Sequence, residues 1–155
     1  MGKASRNGSD NVGHRQVAAV PVRRRRDGRL EILLVTSRGT KRWIVPKGWP
    51  WPDRADHQAA AEEAREEAGI VGRVRRGPLG TYVYTKRRRT GALVEVKVRV
   101  FQIEVQRLMR RWLEKDQRVR RWFTIDAAAA AVTEPDLKEI ILRLGRRQDA
   151  AQARA

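Results

Sequence analysis

The chain has 155 residues, the size of one domain with its own hydrophobic core. It contains no cysteine, which excludes disulfides and thiolate metal sites, and no apolar run is long enough for a signal peptide or a membrane span. The 35 basic and 18 acidic residues give a net charge of +17, which favours a polyanionic partner, although arginines spread over an ordinary solvated surface explain the charge equally well. A cytoplasmic protein with no membrane partner is the expectation.

The N-terminal half predicts an arm, three strands and a helix. Residues 1–13 are rich in Gly, Ser and Asn without periodicity, which predicts a disordered arm. A helix is expected from Asp53 or Asp56 to Ala68, with Gly69 suited to the left-handed conformation that ends helices. The preceding strands are predicted at 15–22, 30–37 and 42–46.

The C-terminal half predicts three more strands and two helices. In the strand predicted at 92–105, the valines from Val94 to Val100 alternate with charged residues, which indicates a half-buried strand. Residues 106–118 fit either a short amphipathic helix or a loop. The other elements are strands at 80–85 and 118–125, helices at 126–132 and 134–144, and a disordered tail at 148–155. This order favours helices covering a mixed sheet.

The segment KGWPWPDRADHQAAAEEAREEAGI, residues 47–70, places four glutamates on one helix. At about 100° per residue they share one stripe, and alanines occupy the opposite side, where they allow a close approach to a sheet. A solvated acidic face, structural ion pairs with arginines, and a site for a hard cation such as Mg²⁺ each explain this stripe. Spacing alone does not choose among them.

The same segment resembles the Nudix box, GX5EX7REUXEEXGU, where U is apolar. The positions that match are Gly48, Glu63, Ala64, Glu66, Glu67, Gly69 and Ile70. Together with LLVTSRGTKRWIVPKGW, TYVY and RRWFTIDAA in the same order, the chain resembles the diphosphoinositol polyphosphate phosphohydrolase branch of the Nudix hydrolases. This resemblance implies an α/β (α+β) fold, an α/β/α sandwich with a mixed β-sheet flanked by helices, over residues 14–147.

Two positions of the box depart from the pattern. Arg54 stands where the family usually has glutamate, and Glu62 stands where it usually has arginine. We interpret the exchange as a reversed ion pair that still braces the loop against the helix. Lys47 also departs from the glycine-rich sequence of the branch, and it adds a cation just before Gly48.

The resemblance implies a hydrolytic site on the glutamate helix. Glu63 and Glu67 would bind Mg²⁺, with Mn²⁺ as the alternative, and Glu66 would accept the proton of the attacking water. Glu114 or Asp116 would add a ligand or act as the base instead.

Substrate phosphates are expected to bind to basic groups around the box, each of which a solvated surface position explains equally well. The candidates are Arg15, Ser37, Arg38, Arg42, Lys47, Gly48, Arg88 and Arg118, with Arg120 as the alternative to Arg118. Trp49 and Trp51 fit either stacking on a nucleobase or covering a core edge, and Trp43, Trp112 and Trp122 fit packing. His14 and His57 have no partner at ligand spacing.

The expected function is Mg²⁺-dependent pyrophosphohydrolysis of a small, highly charged phosphate substrate, either a diphosphoinositol polyphosphate or a diadenosine polyphosphate. The alternative is a non-catalytic Nudix-fold module that binds RNA or another polyanion through the basic runs RRRR, KRRR and RVRR. Nucleic acid is the less favoured partner, because a module without metal chemistry has little need of three clustered carboxylates. The sequence does not specify the oligomeric state.

Overall fold

The structure is a computed structural model and describes residues 14–154. Eight strands, three α-helices and one 3-10 turn at Lys115–Gln117 follow one another in this part of the chain. They are β1 (Arg15–Arg24), β2 (Leu30–Thr36), β3 (Trp43–Ile44), β4 (Lys47–Gly48), α1 (Asp56–Ala68), β5 (Ile70–Val74), β6 (Gly80–Arg87), β7 (Leu93–Leu108), β8 (Arg120–Thr124), α2 (Ile125–Ala131) and α3 (Pro135–Ala153). The arm predicted at 1–13 lies outside the described residues, and no helix within them is long and apolar enough to cross a membrane.

All eight strands form one mixed sheet around β1. Strand β1 pairs in parallel with β7, from Arg15 opposite Lys97 to Val22 opposite Glu104, and antiparallel with β2 and β4. Strands β5 and β6 pair antiparallel with β7, and β3 and β8 pair antiparallel with β2. The predicted mixed sheet is therefore confirmed, and it includes two strands, β4 and β5, that the sequence pattern did not predict.

The helices lie on the two faces of this sheet. Helix α1 packs over one face, where Phe101 and Ile103 of β7 are buried, and α2 and α3 pack over the other, where Val96 and Val98 are buried. Because neighbouring residues of a strand point to opposite faces, β7 contributes to both cores. The predicted α/β/α sandwich is confirmed.

Helix α1 lies against the sheet through small side chains, as predicted. Ala60, Ala64 and Ala68 are fully buried, and Gly69 ends the helix at a φ of 65°. Its start differs from the prediction, since Ala55 is the N-cap and neither aspartate caps the helix. Asp56 is instead the first helical residue, where a carboxylate suits the helix dipole.

Residues 106–118 form no α-helix. Strand β7 continues to Leu108, and the chain then forms a loop that contains the 3-10 turn. The loop alternative is therefore correct from residue 109 onward. The backbone of this loop bonds to the end of α1 as well as to itself, because Met109 N donates to Gly69 O at 2.7 Å and Glu114 N donates to Glu66 O at 3.0 Å.

The disordered tail expected at 148–155 is wrong for the described residues, because α3 continues to Ala153. Two contacts to the β1–β2 hairpin explain the extension. Arg24 donates to Gln148 Oε1 at 3.1 Å, and Gln152 Nε2 donates to Gly28 O at 2.7 Å. Both partners are distant in sequence, so a local pattern could not indicate them.

Candidate active site

Three carboxylates are buried where α1 meets β4 and the 109–119 loop. Glu63 is 1% exposed, Glu67 is 3% exposed and Glu114 is 3% exposed. A carboxylate is costly to bury unless other groups compensate its charge. The solvated acidic face considered above is therefore excluded for Glu63 and Glu67, and Glu114 joins them from a loop far along the chain.

Strand β4 brings backbone directly against these side chains. Lys47 N donates to Glu67 Oε2 at 3.2 Å, and Gly48 lies so close to Glu63 that a Cβ atom at Gly48 would be 2.2 Å from the carboxyl group. Only glycine leaves room for this approach. The presence of glycine at the first position of the box motif therefore has a direct steric explanation at this site.

Arg118 lies between two of the carboxylates. Its guanidinium is 3.3 Å from Glu67 Oε1 and 3.1 Å from Glu114 Oε1, and it also donates to Thr36 O at 3.0 Å. The side chain is only 6% exposed. The predicted substrate-binding residue Arg118 is thus a buried partner of the carboxylates, and structural ion pairing accounts for part of the acidic stripe.

The carboxylates suit a hard divalent cation by their chemistry, since Mg²⁺ prefers oxygen ligands and uses few from the protein. Within residues 14–154, however, no three acidic or histidine side chains form a ready metal cage. The guanidinium of Arg118 lies between Glu67 and Glu114. The donor set fits a cation held by one or two carboxylates and water.

Between the two alternatives for an additional acid, the structure favours Glu114. Asp116 is exposed in the 3-10 turn, whereas Glu114 is buried beside Arg118 and its backbone bonds to the last turn of α1. Arg120, the alternative to Arg118, donates to Ala68 O at 2.8 Å and to Met109 O at 2.9 Å. Arg120 therefore joins the loop to the helix.

The exchanged box residues do form an ion pair. Arg54 NH1 is 3.7 Å from Glu62 Oε1, and the guanidinium of Arg54 lies 4.7 Å from the centroid of the Trp51 ring. The pair joins the loop that follows β4 to the middle of α1. The contact predicted from the sequence is confirmed.

The remaining predicted basic residues lie at different distances from the carboxylates. Arg38 is closest, with NH1 at 3.7 Å from Glu114 and 3.2 Å from Gln117 Oε1. Arg15 pairs with Asp56 at the start of α1, and Arg88 lies 2.8 Å from His14 Nδ1. These two are not brought into contact with the carboxylates.

Ser37 and Arg42 shape the turn before β3. Ser37 Oγ lies 2.7 Å from Thr40 Oγ1 and accepts a hydrogen bond from Arg42 N at 2.9 Å. The side chain of Arg42 reaches Thr133 Oγ1 at 3.0 Å, next to the start of α3. Arg42 thus connects the β2–β3 turn to the layer of α2 and α3.

Lys47 points to the sheet face opposite Gly48, because neighbouring residues of a strand alternate. Its Nζ is 5.1 Å from the centroid of the Tyr84 ring. Burial lowers the pKa of Lys47, and the charges of Glu67 and Glu134 oppose this shift. Lys47 therefore lies in an acidic and aromatic surrounding beside the carboxylate cluster.

Three residues around Lys47 were missed by the sequence analysis as site residues. Tyr84 OH donates to Gln16 Oε1 at 2.6 Å, and burial raises the pKa of Tyr84 to about 12 although this hydrogen bond acts in the opposite direction. Glu134, the N-cap of α3, is close enough to raise the pKa of Tyr84 as well. TYVY was the only signal for Tyr84, and nothing in the sequence distinguished Gln16 or Glu134.

The tryptophans of the loop after β4 are partly covered. Trp51 packs against the core under α1, and Lys86 Nζ lies 4.9 Å from the centroid of the Trp49 ring. The packing predicted for Trp43 is confirmed by its edge contact with Phe123, with ring centroids 5.0 Å apart. Trp112 also packs, and its Nε1 donates to Glu67 O at 3.0 Å.

Comparison with known proteins identifies the family. The NUDIX domain family matches residues 13–144. The chain is 32% identical over 110 residues to Nudix hydrolase 13, mitochondrial, of Arabidopsis thaliana, a match that covers 66% of this chain and 53% of the relative. It is 36% identical over 101 residues to diphosphoinositol polyphosphate phosphohydrolase 3-alpha of Mus musculus, covering 63% of this chain and 57% of the relative. The chain thus spans a little over half the length of these relatives.

Solved structures share the fold. The C. elegans Ap4A hydrolase binary complex superposes with a TM-score of 0.60 at 20% identity, covering 90% of this chain and 96% of that chain. A NUDIX hydrolase from Nitrosomonas europaea superposes with a TM-score of 0.59 at 26% identity, covering 90% and 89%. The chain belongs to the NUDIX domain family.

Proposed function

We propose that this chain is a divalent-metal-dependent hydrolase that cleaves a phosphoanhydride in a small, highly charged substrate. The observation that carries the proposal is the burial of Glu63, Glu67 and Glu114 together, with Glu63 against the backbone of Gly48, in a protein of net charge +17. If these carboxylates served only to make the surface soluble, they would be exposed to water and not buried. Burial at this cost is typical of functional sites.

Glu63 and Glu67 would hold the cation, which is Mg²⁺ or Mn²⁺. When bound, it would neutralise charge on the phosphate oxygens and help to activate water. Arg118 would hold Glu67 and Glu114 in place through its contacts of 3.3 and 3.1 Å. The backbone N–H of Lys47 would fix the orientation of Glu67 through its bond of 3.2 Å.

In the reaction, the oxygen of a water molecule forms a bond to one phosphorus of the anhydride, and the bond from that phosphorus to the bridging oxygen breaks. Glu66 would accept the proton that the water loses, and Glu114 is the alternative base. The displaced phosphate leaves with the bridging oxygen. Arg38, 58% exposed and next to Glu114, would bind the phosphates that do not react.

Among the basic residues proposed to bind substrate, Arg42 and Lys47 face the layer of α2 and α3. Lys47 would contribute a cation beside Tyr84, and Arg42 a guanidinium near Thr133. Ser37 would contribute to substrate binding by shaping the turn before β3, and Gly48 would contribute through its backbone. Arg15 and Arg88 stay proposals for the outer phosphates of a large substrate.

We propose a diphosphoinositol polyphosphate as the more favoured substrate class. The relative from Mus musculus bears this activity in its name and shares 36% identity over 101 residues. A nucleobase would need an accessible aromatic face, but Trp51 packs against the core and Lys86 already lies over Trp49. The covered tryptophans therefore disfavour a diadenosine polyphosphate.

A phosphate-release assay with Mg²⁺ and with Mn²⁺ tests this choice. The substrates are an inositol pyrophosphate, a diadenosine polyphosphate, a triphosphorylated RNA and a nucleoside triphosphate. Arg38→Ala should lower kcat/KM for the inositol pyrophosphate by about tenfold, because a charge-assisted contact of 1.4 kcal/mol corresponds to that factor.

Arg75→Ala is the matched control, since Arg75 is similarly exposed at 61% and pairs with Glu104 away from the carboxylates. It should leave kcat/KM within about twofold of wild type. Equal effects of both variants, or faster turnover of the diadenosine substrate, would contradict the proposed substrate class.

The second candidate is a module that binds a polyanion without turnover. Its support is the net charge of +17 and the many arginines that remain exposed. Such a module should bind polyanions with equal strength when the buried carboxylates are replaced. For both candidate functions, the cytoplasmic location of the protein stays a prediction.

A further inference from the structure

A cluster of four basic residues lies at the end of β7 and in the loop that follows. Arg107, Arg110, Arg111 and Lys115 are all exposed, and together with Leu108 and Met109 they line a shallow cleft of about 780 Å³. We call these four side chains the 107–115 patch. Among residues 14–154, no acidic residue lines this cleft.

No acidic side chain within residues 14–154 neutralises the patch, although Lys115 Nζ lies 5.8 Å from the centroid of the Trp112 ring. Among the ion pairs of residues 14–154, none involves these four side chains, whereas Arg75 and Arg118 nearby in the sheet and loop are paired with carboxylates. The closest acids in sequence do not neutralise them. Glu104 pairs with Arg75, Glu114 is turned into the buried cluster, and Asp116 is exposed in the 3-10 turn.

The loop that carries the patch is held firmly to the end of α1. Met109 N donates to Gly69 O, Trp112 Nε1 donates to Glu67 O, and Arg120 donates to Ala68 O and Met109 O, all between 2.7 and 3.0 Å. A scaffold fixed in this way loses little backbone entropy when a ligand binds. The four cations are therefore presented together before any ligand arrives.

The patch is separate from the carboxylate site. Its loop bonds to Gly69 at the end of α1, two residues after Glu67, but none of its four side chains forms an ion pair with Glu63, Glu67 or Glu114 within residues 14–154. The boundary between the two regions falls between Glu114 and Lys115. The side chain of Glu114 is buried with the carboxylates, whereas the side chain of Lys115 is exposed in the patch. An anion on the patch need not reach the reacting phosphate.

Recognition at the patch would depend on charge. The one aromatic residue within the loop is Trp112, and its ring is covered by the guanidinium of Arg120 at 3.8 Å. Trp112 does not line the cleft, and no other aromatic residue among 14–154 does, so the cleft offers a base nothing to stack on. Four guanidinium or ammonium groups in a shallow, open cleft suit a ligand with several phosphates in a row.

We propose that the 107–115 patch is a second anion-binding site, distinct from the hydrolytic site, which binds a linear chain of phosphate groups such as inorganic polyphosphate. This inference does not depend on the proposed hydrolytic function, because its observations lie outside the carboxylate cluster. Each phosphate bound would release counterions, so binding weakens as salt rises.

Calorimetric titration of the full chain with short linear inorganic polyphosphate tests the site. The titration is done with a chelator, at several salt concentrations, so that no hydrolysis occurs. The double variant Arg110→Ala/Arg111→Ala should weaken binding by about tenfold and lower the slope of log K against log salt by about 1.4 to 1.8.

Arg143→Ala/Arg147→Ala is the control variant, because it removes the same charge from exposed positions of α3. It should change the affinity by less than about twofold. Equal losses in the two double variants would show that net charge alone binds polyphosphate and would overturn the site. Undetectable binding by the wild type would also overturn it.

A final arm of the experiment separates the ligand classes. An oligodeoxythymidylate with the same number of phosphates should bind the wild-type protein more weakly, because its phosphates are farther apart and its bases find no open aromatic ring in the cleft. If it bound as tightly and lost as much affinity in Arg110→Ala/Arg111→Ala, the patch would be a nucleic-acid surface and the proposed ligand would be wrong.

Discussion

At the scale of single residues, the site combines buried carboxylates with groups that compensate their charge. Arg118 compensates Glu67 and Glu114, and the backbone of Lys47 donates to Glu67. A buried carboxylate that loses such a partner costs several kcal/mol. The arginine-rich composition therefore has a specific use here, besides its general effect on charge.

Gly48 leads to the first residue-scale prediction. In Gly48→Ala the new methyl group would occupy the position of the Glu63 carboxyl group, which it would approach to 2.2 Å. Glu63 must then move, and we expect kcat/KM for phosphoanhydride hydrolysis to fall by about a hundredfold. The free energy of unfolding should fall by only about 1–3 kcal/mol, measured by denaturant titration.

Gly77→Ala is the control, because a Cβ atom there meets no atom within 4 Å. It should leave activity unchanged. An active Gly48→Ala enzyme would mean that the contact between β4 and Glu63 is not needed for the reaction.

Tyr84 leads to a prediction on pH. Its folded-state pKa of about 12 exceeds the ordinary value of 10.0, so the folded protein keeps the phenol proton where the unfolded chain releases it. The corresponding stability is complete below pH 10 and is lost as the pH rises toward 12. Relative to Tyr84→Phe, the wild-type free energy of unfolding should therefore fall over this window.

The measurement is denaturant unfolding of both proteins at a series of pH values. Below pH 10 the difference between them should be constant, at about 1 kcal/mol from the hydrogen bond to Gln16. A difference that stays constant above pH 10 as well would show that Tyr84 titrates normally.

At the scale of elements, α1 is held in place at both ends of its acidic stripe. The loop after β4 reaches it through Arg54 and Glu62, and the 109–119 loop reaches its last carbonyl groups. These contacts fix the direction in which the glutamates point. The geometry of the candidate site thus depends on two loops as much as on the helix.

The reversed ion pair can be tested by a double-mutant cycle. Arg54→Glu should reduce the free energy of unfolding, because it places two carboxylates together, and adding Glu62→Arg should restore it. The two side chains are 44% and 27% exposed, so the coupling between them should be about 0.2–1 kcal/mol. Additive effects of the two changes would mean that the 3.7 Å contact contributes no stability.

The sequence predicts elements well where the determining contacts are local. The alanine face of α1, Gly69 at its end and the alternating valines of β7 all follow from spacing, and the structure confirms them. The end of α3 was missed because Gln148 and Gln152 bond to residues more than a hundred positions away. Strand β5 was missed because its short sequence, IVGRV, has no clear alternation.

The site was predicted to a similar extent. The box motif located Gly48, Glu63 and Glu67, since their spacing is fixed within one segment. The sequence did not indicate which arginine would pair with these carboxylates, because one arginine among many gives no sign that it is buried. Arg118 lies just before β8, and only folding of the chain places it next to Glu67 of α1.

At the scale of the whole molecule, the basic residues behind the net charge of +17 include three groups with different surroundings. Some arginines pair with acids on the surface, Arg118 compensates the buried carboxylates, and the 107–115 patch leaves its cations open to solvent. Surface pairs contribute little stability, whereas a buried guanidinium is costly to remove. The positive field should also speed the encounter with phosphorylated substrates, and added salt should weaken this effect.

The most direct test of the central claim compares wild type with Glu67→Gln in the phosphate-release assay, with Mg²⁺ or Mn²⁺ and with the substrates named above. If Glu67 holds the metal, kcat/KM should fall by at least about a hundredfold. Glu139→Gln, which removes a 52% exposed carboxylate from α3, should retain full activity. Metal-dependent turnover by the wild type that Glu67→Gln abolishes is the predicted result; full activity in Glu67→Gln, or no turnover by the wild type with either metal, would contradict it.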